Sequence, residues 1–258
     1  MTLLDDKVVL VSGGSQGVGG AVARAAARAG ASVLLTGRRT EPGEALAAEL
    51  TALGVQAAFV RADVADVEQA RASVAAAVAR FGRVDCLVNS AGLTSRGSLV
   101  DTTPELFDAH IAVNLRAPFF LMQGAVSDML ARHAPGTIVN IISTSAHCGQ
   151  SFLTPYSTAK AALAGLTRNA AHAHRFDRIR INGLNIGWTD TEGEDATQRV
   201  FHGAGDDWRE QAGKSLPMGR LGRADEIADF VVFLLSERSG VVTGSVIDWD
   251  QNVIGAID

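Results

Sequence analysis

Short, continuously apolar runs alternate along the chain with longer Ala-rich segments whose apolar positions recur every three or four residues. Continuous apolar runs of this length suit parallel strands buried on both faces. Seven are read as strands: Lys7–Ser12, Ser32–Thr36, Ala57–Arg61, Cys86–Asn89, Thr137–Ile142, Arg180–Asn185 and Ser245–Trp249. Between them, Leu46, Leu50 and Leu53 follow helical spacing up to Gly54, and Val67, Ala70, Val74, Val78 and Phe81 do so up to Gly82. Each glycine stands where a helix end wants a left-handed residue. The rhythm is βαβ and predicts an α/β class, a doubly wound domain with a seven-stranded parallel sheet and helices on both faces. Residues 1–258 read as one domain. Gly187 to Leu216, rich in Gly, Asp and Glu, shows no clear period and reads as a long loop. Such loops are usually functional, most often lids.

Composition narrows the setting. At 258 residues, folding buries roughly three quarters of the unfolded surface, so neither disulfides nor a structural metal are needed. The two cysteines, Cys86 and Cys148, form no spaced framework and point to a reducing, cytoplasmic environment, although they remain a possible pair. The start carries Asp5 and Asp6 rather than a basic-then-apolar leader, and reads as mature protein. The longest apolar run, around Ile227 to Leu235, is interrupted by Asp229 and is too short for a membrane span. A net charge of −5 leaves no basic footprint for nucleic acid. His172 and His174 differ by two positions, which point apart on a helix, and no histidine belongs to a metal-ligand spacing.

Three motifs carry chemistry. Ser12-Gly13-Gly14-Ser15-Gln16-Gly17-Val18-Gly19-Gly20 lies between the first strand and an Ala-rich helix ending at Gly30. In strand–turn–helix context, glycines let backbone N–H groups approach a dinucleotide pyrophosphate at the positive helix end; a plain glycine loop is the alternative. After the second strand, Thr36-Gly37-Arg38-Arg39 lacks the carboxylate that would hold a ribose 2′-hydroxyl and offers guanidinium groups suited to a 2′-phosphate. NADP is therefore favoured over NAD, against the alternative of a solvated helix end. Third, Tyr156 and Lys160 share a helix face at i, i+4, with Ser143 thirteen residues upstream of Tyr156. A phenol becomes a base near neutral pH only if its pKa falls by several units, which a nearby ammonium favours. Ser143 would position the reacting oxygen. A buried Tyr beside a snorkelling Lys is the bland alternative for the pair alone.

Taken together, these motifs from Lys7 to about Asp250 resemble the short-chain dehydrogenase/reductases, in their single-domain oligomeric branch with a Rossmann-type fold. The resemblance implies that Gly13, Ser15, Gln16, Gly17, Val18 and Gly19 form the cofactor loop and that Asp63-Val64 is the adenine-binding turn. It implies that Asn89-Ser90-Ala91-Gly92 lines the cofactor site, chiefly through Asn89, Ala91 and Gly92, with Gly187 and Thr191 at the nicotinamide. Asn114, Ser143, Tyr156 and Lys160 would complete a catalytic tetrad, Asn114 holding a relay water and Lys160 also the nicotinamide ribose. Departures are Ser12 for Thr, Ser90 for Asn, Ile186 where the family has Pro, and Asp248-Trp249-Asp250-Gln251-Asn252 where it has Asp-Gly-Gly, side chains expected to crowd or line a subunit interface.

The implied reaction is hydride transfer between nicotinamide and a secondary alcohol or its carbonyl, with Tyr156 as general acid and base. Ser143, Tyr156, His147 and Trp188 are the expected substrate contacts, with Cys148 also near the pocket. The carboxylates and tryptophans of residues 187–216 suit a sugar or polyol and argue mildly against acyl-carrier or phosphorylated substrates. Other open readings are a 3-oxoacyl or other ketone reductase and a non-catalytic dinucleotide sensor. The small residues on the helix at 159–173 and the apolar run ending the helix at 225–235 point, by the same resemblance, to a homodimer or homotetramer.

Overall fold

All seven apolar runs are strands in the computed structural model, which describes residues 2–147, 149–253 and 255, and their ends shift by at most one residue from the expected ones. They are β1 (Val8–Ser12), β2 (Ser32–Gly37), β3 (Ala57–Arg61), β4 (Cys86–Asn89), β5 (Gly136–Ile141), β6 (Ile179–Ile186) and a last strand, Val246–Trp249, which is β9 after two short intervening ones. The order is β3-β2-β1-β4-β5-β6-β9, every pair parallel. The order reverses between β1 and β4, which opens the crevice where such sheets bind ligands at their carboxyl ends. Ile186 at the end of β6 continues the ladder opposite Trp249 instead of ending it as a proline would.

Strand alternation divides the core between two faces. On one, Val9 and Val11 of β1 pack with α1 (Gly17–Arg28), α2 (Thr40–Ala52) and α9 (Ala224–Leu235). On the other, Leu10 packs with α3 (Val67–Phe81) and α5 (Ala117–Ala131) and with Ala171 of α6 (Thr154–Ala173). Small residues Val22, Ala23, Ala26 and Ala27 bring α1 close to the sheet and to α9. That contact also accounts for most of the apolar surface of α9: Ile227, Ala228, Val231, Val232, Leu234 and Leu235 are buried within this one chain, and only Phe233 is notably open, at 38% exposure. Apolar residues also stay exposed on α5, at Phe119 and Leu130, on α4 (Pro104–Ile111), at Phe107, and in connecting segments, at Leu99, Val100, Phe176 and Val241. No described helix is long and apolar enough to cross a membrane.

The segment from Gly187 to Leu216 differs from the long loop expected there. It holds β7 (Thr189–Asp190), α7 (Glu192–His202) and α8 (Trp208–Lys214), and β7 pairs with β8 (Gly222–Arg223) in a second small sheet. An apolar stripe could not reveal α7, because Thr197 is its one buried residue among those described. Its termini hold it. Thr191 Oγ1 accepts from the Glu194 N–H at 3.1 Å, acidic Glu192, Glu194 and Asp195 sit in the first turn, Arg199 and His202 in the last, and Gly203 closes it at φ +61°.

Candidate active site

The sheet's carboxyl edge and the α7–α8 segment enclose a cleft of about 770 Å³. Its first wall is the loop between β1 and α1. Gly13 (φ +73°) and Gly17 (φ +53°) use left-handed backbone, and a Cβ on Gly19 would stand 2.2 Å from the Gly13 carbonyl oxygen. A Cβ on Gly13 would likewise meet the backbone of Ala91 at 2.6 Å. No side chain fits there, so the backbone itself faces the cleft. At the N-terminus of α1, Gln16 makes no side-chain cap and the first turn has no carboxylate, leaving N–H groups directed at the cleft for an anion. These features fit a dinucleotide pyrophosphate.

Gly13, Ser15, Gln16, Gly17, Val18, Gly19, Arg38, Arg39, Asp63, Val64, Ala91, Gly92, Ser143, Tyr156, Lys160, Gly187, Trp188 and Thr191 all line the same cleft, as their sequence positions implied. Arg38 and Arg39 are exposed beyond β2, with no described carboxylate at ion-pair distance, beside Arg61, whose Nε donates to the Arg38 carbonyl at 3.2 Å. The Asp63 carboxylate accepts from the Ala65 N–H at 3.1 Å, shaping the turn after β3. Thr191 has the further task of capping α7.

Three expected site residues lie elsewhere. Asn89 does not line the cleft; its Nδ2 donates to Asn140 Oδ1 at 2.7 Å inside the sheet. Asn140 in turn donates to Thr167 Oγ1 at 2.9 Å, so this buried relay fastens β4 and β5 to α6, the helix that carries Tyr156 and Lys160. The Asn114 side chain is also fully occupied within the protein. It accepts from the Leu93 N–H at 3.0 Å and donates to the Leu93 carbonyl at 3.0 Å and to His110 Nδ1 at 3.1 Å. Because that amide nitrogen donates, His110 Nδ1 accepts and its Nε2–H donates to the Ser95 carbonyl at 3.1 Å, which fixes a neutral tautomer. Burial lowers the His110 pKa in the same sense. Asn114 sits in a π-turn, Ala112–Arg116, between α4 and α5, a distortion common at functional sites. Its side chain clamps the cleft wall at Leu93. His147, third, is not a cleft residue: its Nε2 lies 2.7 Å from Asp248 Oδ1 and 3.1 Å from Asn185 Nδ2, partners supplied by distant strands. Cys148 lies outside the described residues, and Cys86 is buried, with its thiol pushed up to about 12 by burial.

On the floor, Ser143 stands two residues beyond the end of β5, with its Oγ accepting from the Ser145 N–H at 3.2 Å. Tyr156 and Lys160 project from α6, and Lys160 Nζ stands 5.7 Å from the centre of the Tyr156 ring. Lys160 is 4% exposed and donates to the Ile141 carbonyl at 2.9 Å. Burial pulls its ammonium down to about 8. Burial also raises the Tyr156 phenol, against a lowering hydrogen bond from Ser143. The expected lowering of Tyr156 by Lys160 is thus absent in the protein alone: burial raises the phenol, and what lowers it comes from Ser143 and Arg96.

Arg96, Phe152 and Gln198 carried no sequence signal, whereas Glu194, His202, Asp250 and Asn252 fall in stretches the sequence singled out. Arg96, Phe152 and three residues of α7, Glu194, Gln198 and His202, converge on the Tyr156 side from three separate segments, and Asp250 and Asn252 arrive from the chain's end. Asp250 packs on Gly187, where a Cβ would meet its Oδ1 at 2.1 Å. Gln251 accepts from the Met218 N–H at 2.7 Å and donates to the Arg220 carbonyl at 2.8 Å, tying the end of the α7–α8 segment down. Of the unusual residues 248–252, Asp250 and Asn252 thus reach the cleft of their own chain.

Residues 13–251 match the family model described as Enoyl-(Acyl carrier protein) reductase. L-rhamnose 1-dehydrogenase (NAD(P)(+)) of Azotobacter vinelandii is 37% identical over 94% of both chains. A short-chain type dehydrogenase/reductase from Mycobacterium marinum superposes with a TM-score of 0.90 at 29% identity, over 98% of this chain and 97% of that one. A blue fluorescent protein from a metagenomic library, in complex with NADPH, superposes at 0.86 with 32% identity over 96% and 98%.

Proposed function

The chain belongs to the short-chain dehydrogenase/reductase family and is an NAD(P)-dependent oxidoreductase of CH–OH groups, and from that premise we propose that Tyr156 moves the proton that accompanies hydride transfer to or from a secondary alcohol. The observation that carries this is the meeting of Ser143, Tyr156 and Lys160 in one cleft with a glycine loop that no side chain can fill. The loop Gly13–Gly19 holds the pyrophosphate, Asp63 and Val64 the adenine, Arg38 and Arg39 a 2′-phosphate, Lys160 a ribose, and Gly187 and Thr191 the nicotinamide end. NADP is the preferred form, since two guanidinium groups and no facing carboxylate follow β2. When bound, the nicotinamide supplies or accepts the hydride.

Ser143 orients the reacting oxygen against Tyr156. The phenol, kept protonated by its surroundings, is ready to donate as a carbonyl is reduced; in oxidation it accepts the alcohol proton once positive charge on the nicotinamide favours the phenolate. The substrate is a small hydroxylated molecule such as a sugar or polyol, a reading supported by the likeness to a rhamnose dehydrogenase and by the polar wall of Trp188, Glu194 and Gln198. A 3-oxoacyl or other ketone reductase is the second reading, supported by the likeness to a 3-oxoacyl-[acyl-carrier-protein] reductase of Thermotoga maritima, 33% identical over 97% of this chain and 99% of that one. We place the protein in the cytoplasm as one domain whose segment 187–216 covers the active site, assembled as a homodimer or homotetramer.

The test is Tyr156→Phe. Turnover on a panel of sugars, polyols and ketones falls about 10²- to 10⁴-fold, while binding of NADP, followed by fluorescence, stays within about twofold. Wild-type turnover in the variant refutes the assignment.

A further inference from the structure

One cation in the cleft has no role in this proposal. Arg96 lines the cleft with Tyr156, Phe152 and Glu194. Its Nη1 donates to the Thr94 carbonyl at 2.9 Å and its Nε to His202 Nε2 at 3.1 Å. Among the described residues Nη2 has no hydrogen-bond partner, and no carboxylate lies at ion-pair distance from the guanidinium. The rings of Phe152 and Phe201 stand 5.4 and 6.0 Å from its central carbon. A permanently charged group set between aromatic rings and half removed from water gains most from an oxyanion on its open edge.

The carboxylates nearby do not provide one. Asp195 accepts from Arg199, Arg209 and Trp208, and Asp190 from Arg209. Glu194 Oε1 is taken by Trp188 Nε1 and Gln198 Nε2, both 2.7 to 2.8 Å away. Asp190, Asp195 and Asp206 are thus paired with Arg199 and Arg209, while Glu194, held by neutral donors, acts on Arg96 through space without reaching ion-pair distance. Arg96 is also close enough to Tyr156 to stabilise the phenolate.

We infer that the cleft selects a substrate that carries, besides the alcohol or carbonyl at Tyr156, an anionic oxygen group, carboxylate or phosphate, which completes the open edge of Arg96. This rests on the oxidoreductase reading and narrows its substrate class from neutral polyols to hydroxy acids or phosphorylated hydroxy compounds. The rival role for Arg96 is a latch, since it joins His202 and Phe201 of α7 to Phe152 beside the catalytic helix.

The experiment is calorimetric titration of the NADP-loaded protein with matched pairs: glycerate and gluconate against their amides, and glycerol phosphate and glucose 6-phosphate against glycerol and glucose. In the wild type at least one anionic member binds about 10- to 100-fold more tightly than its neutral partner. The advantage disappears in Arg96→Gln and survives in Phe201→Ala, which loosens the latch and leaves the guanidinium. The acid and phosphate arms separate the two sources of the oxyanion. Equal binding within every pair, no binding of any anionic member, an advantage that survives in Arg96→Gln, or one lost equally in Phe201→Ala each overturns the inference. Because it reads binding alone, this result is independent of the turnover of Tyr156→Phe.

Discussion

Replacing Lys160 by Met turns a buried charge into an isosteric apolar chain and tests how the site stores free energy. The ammonium is 4% exposed, makes one hydrogen bond, to the Ile141 carbonyl, and has its pKa drawn down to about 8 from an ordinary 10.5. At 1.36 kcal/mol per tenfold, holding the proton costs the folded state about 3 kcal/mol. The unfolded chain binds this proton more tightly, so between pH 8 and 10.5 it holds more protons and wild-type stability rises with pH through that window. Below pH 8 both states are protonated and the full penalty applies. Removing the side chain orphans the Ile141 carbonyl, a loss of about 1–3 kcal/mol that does not depend on pH. Lys160→Met is thus expected to equal or exceed wild-type stability at pH 7 and to fall below it at pH 10.5, a swing of about 3 kcal/mol, while turnover collapses. Urea unfolding of both proteins at equal concentration from pH 7 to 10.5 measures the swing directly, because other titrating groups cancel in the difference. A stability difference that stays constant across that range refutes the argument.

Two further outcomes follow from the cofactor wall. Gly19→Ala places a methyl about 1 Å inside ordinary contact with the Gly13 carbonyl, so the loop shifts and NADP binding weakens at least about tenfold with little loss of fold; unchanged affinity by fluorescence titration contradicts the cradle. Converting Arg38 and Arg39 together to Ala raises the KM for NADP about tenfold or more and leaves that for NAD within about twofold, and steady-state kinetics with the two cofactors decides it.

The helix that carries Tyr156 and Lys160 was legible because its signal is local. Tyr156 and Lys160 meet through helical spacing, and the glycine loop announces itself between a strand and a helix. Asn89 and His147 misled for the opposite reason. Their positions beside cleft segments are local facts, but the sheet turns Asn89 into a buried relay with Asn140 and Thr167, and Asp248, 101 residues away, captures His147. Helix α7 was hidden because its order comes from caps and charges matched to the helix dipole, and its Thr191…Glu194 spacing was the available sign.

The strands, their burial, the cradle and the phenol–ammonium pair were all determined by the sequence, because each depends on residues that are neighbours in the chain or on one helix face. Tertiary structure alone decided the substrate side. Arg96, Phe152, Glu194, His202 and Asp250 come from segments far apart in sequence, and only their packing sets which charge is neutralised by a neighbour and which stays open to a ligand. It also decided the protonation of the site, since the desolvation that lowers Lys160 and raises Tyr156 comes from everything packed around them rather than from either residue.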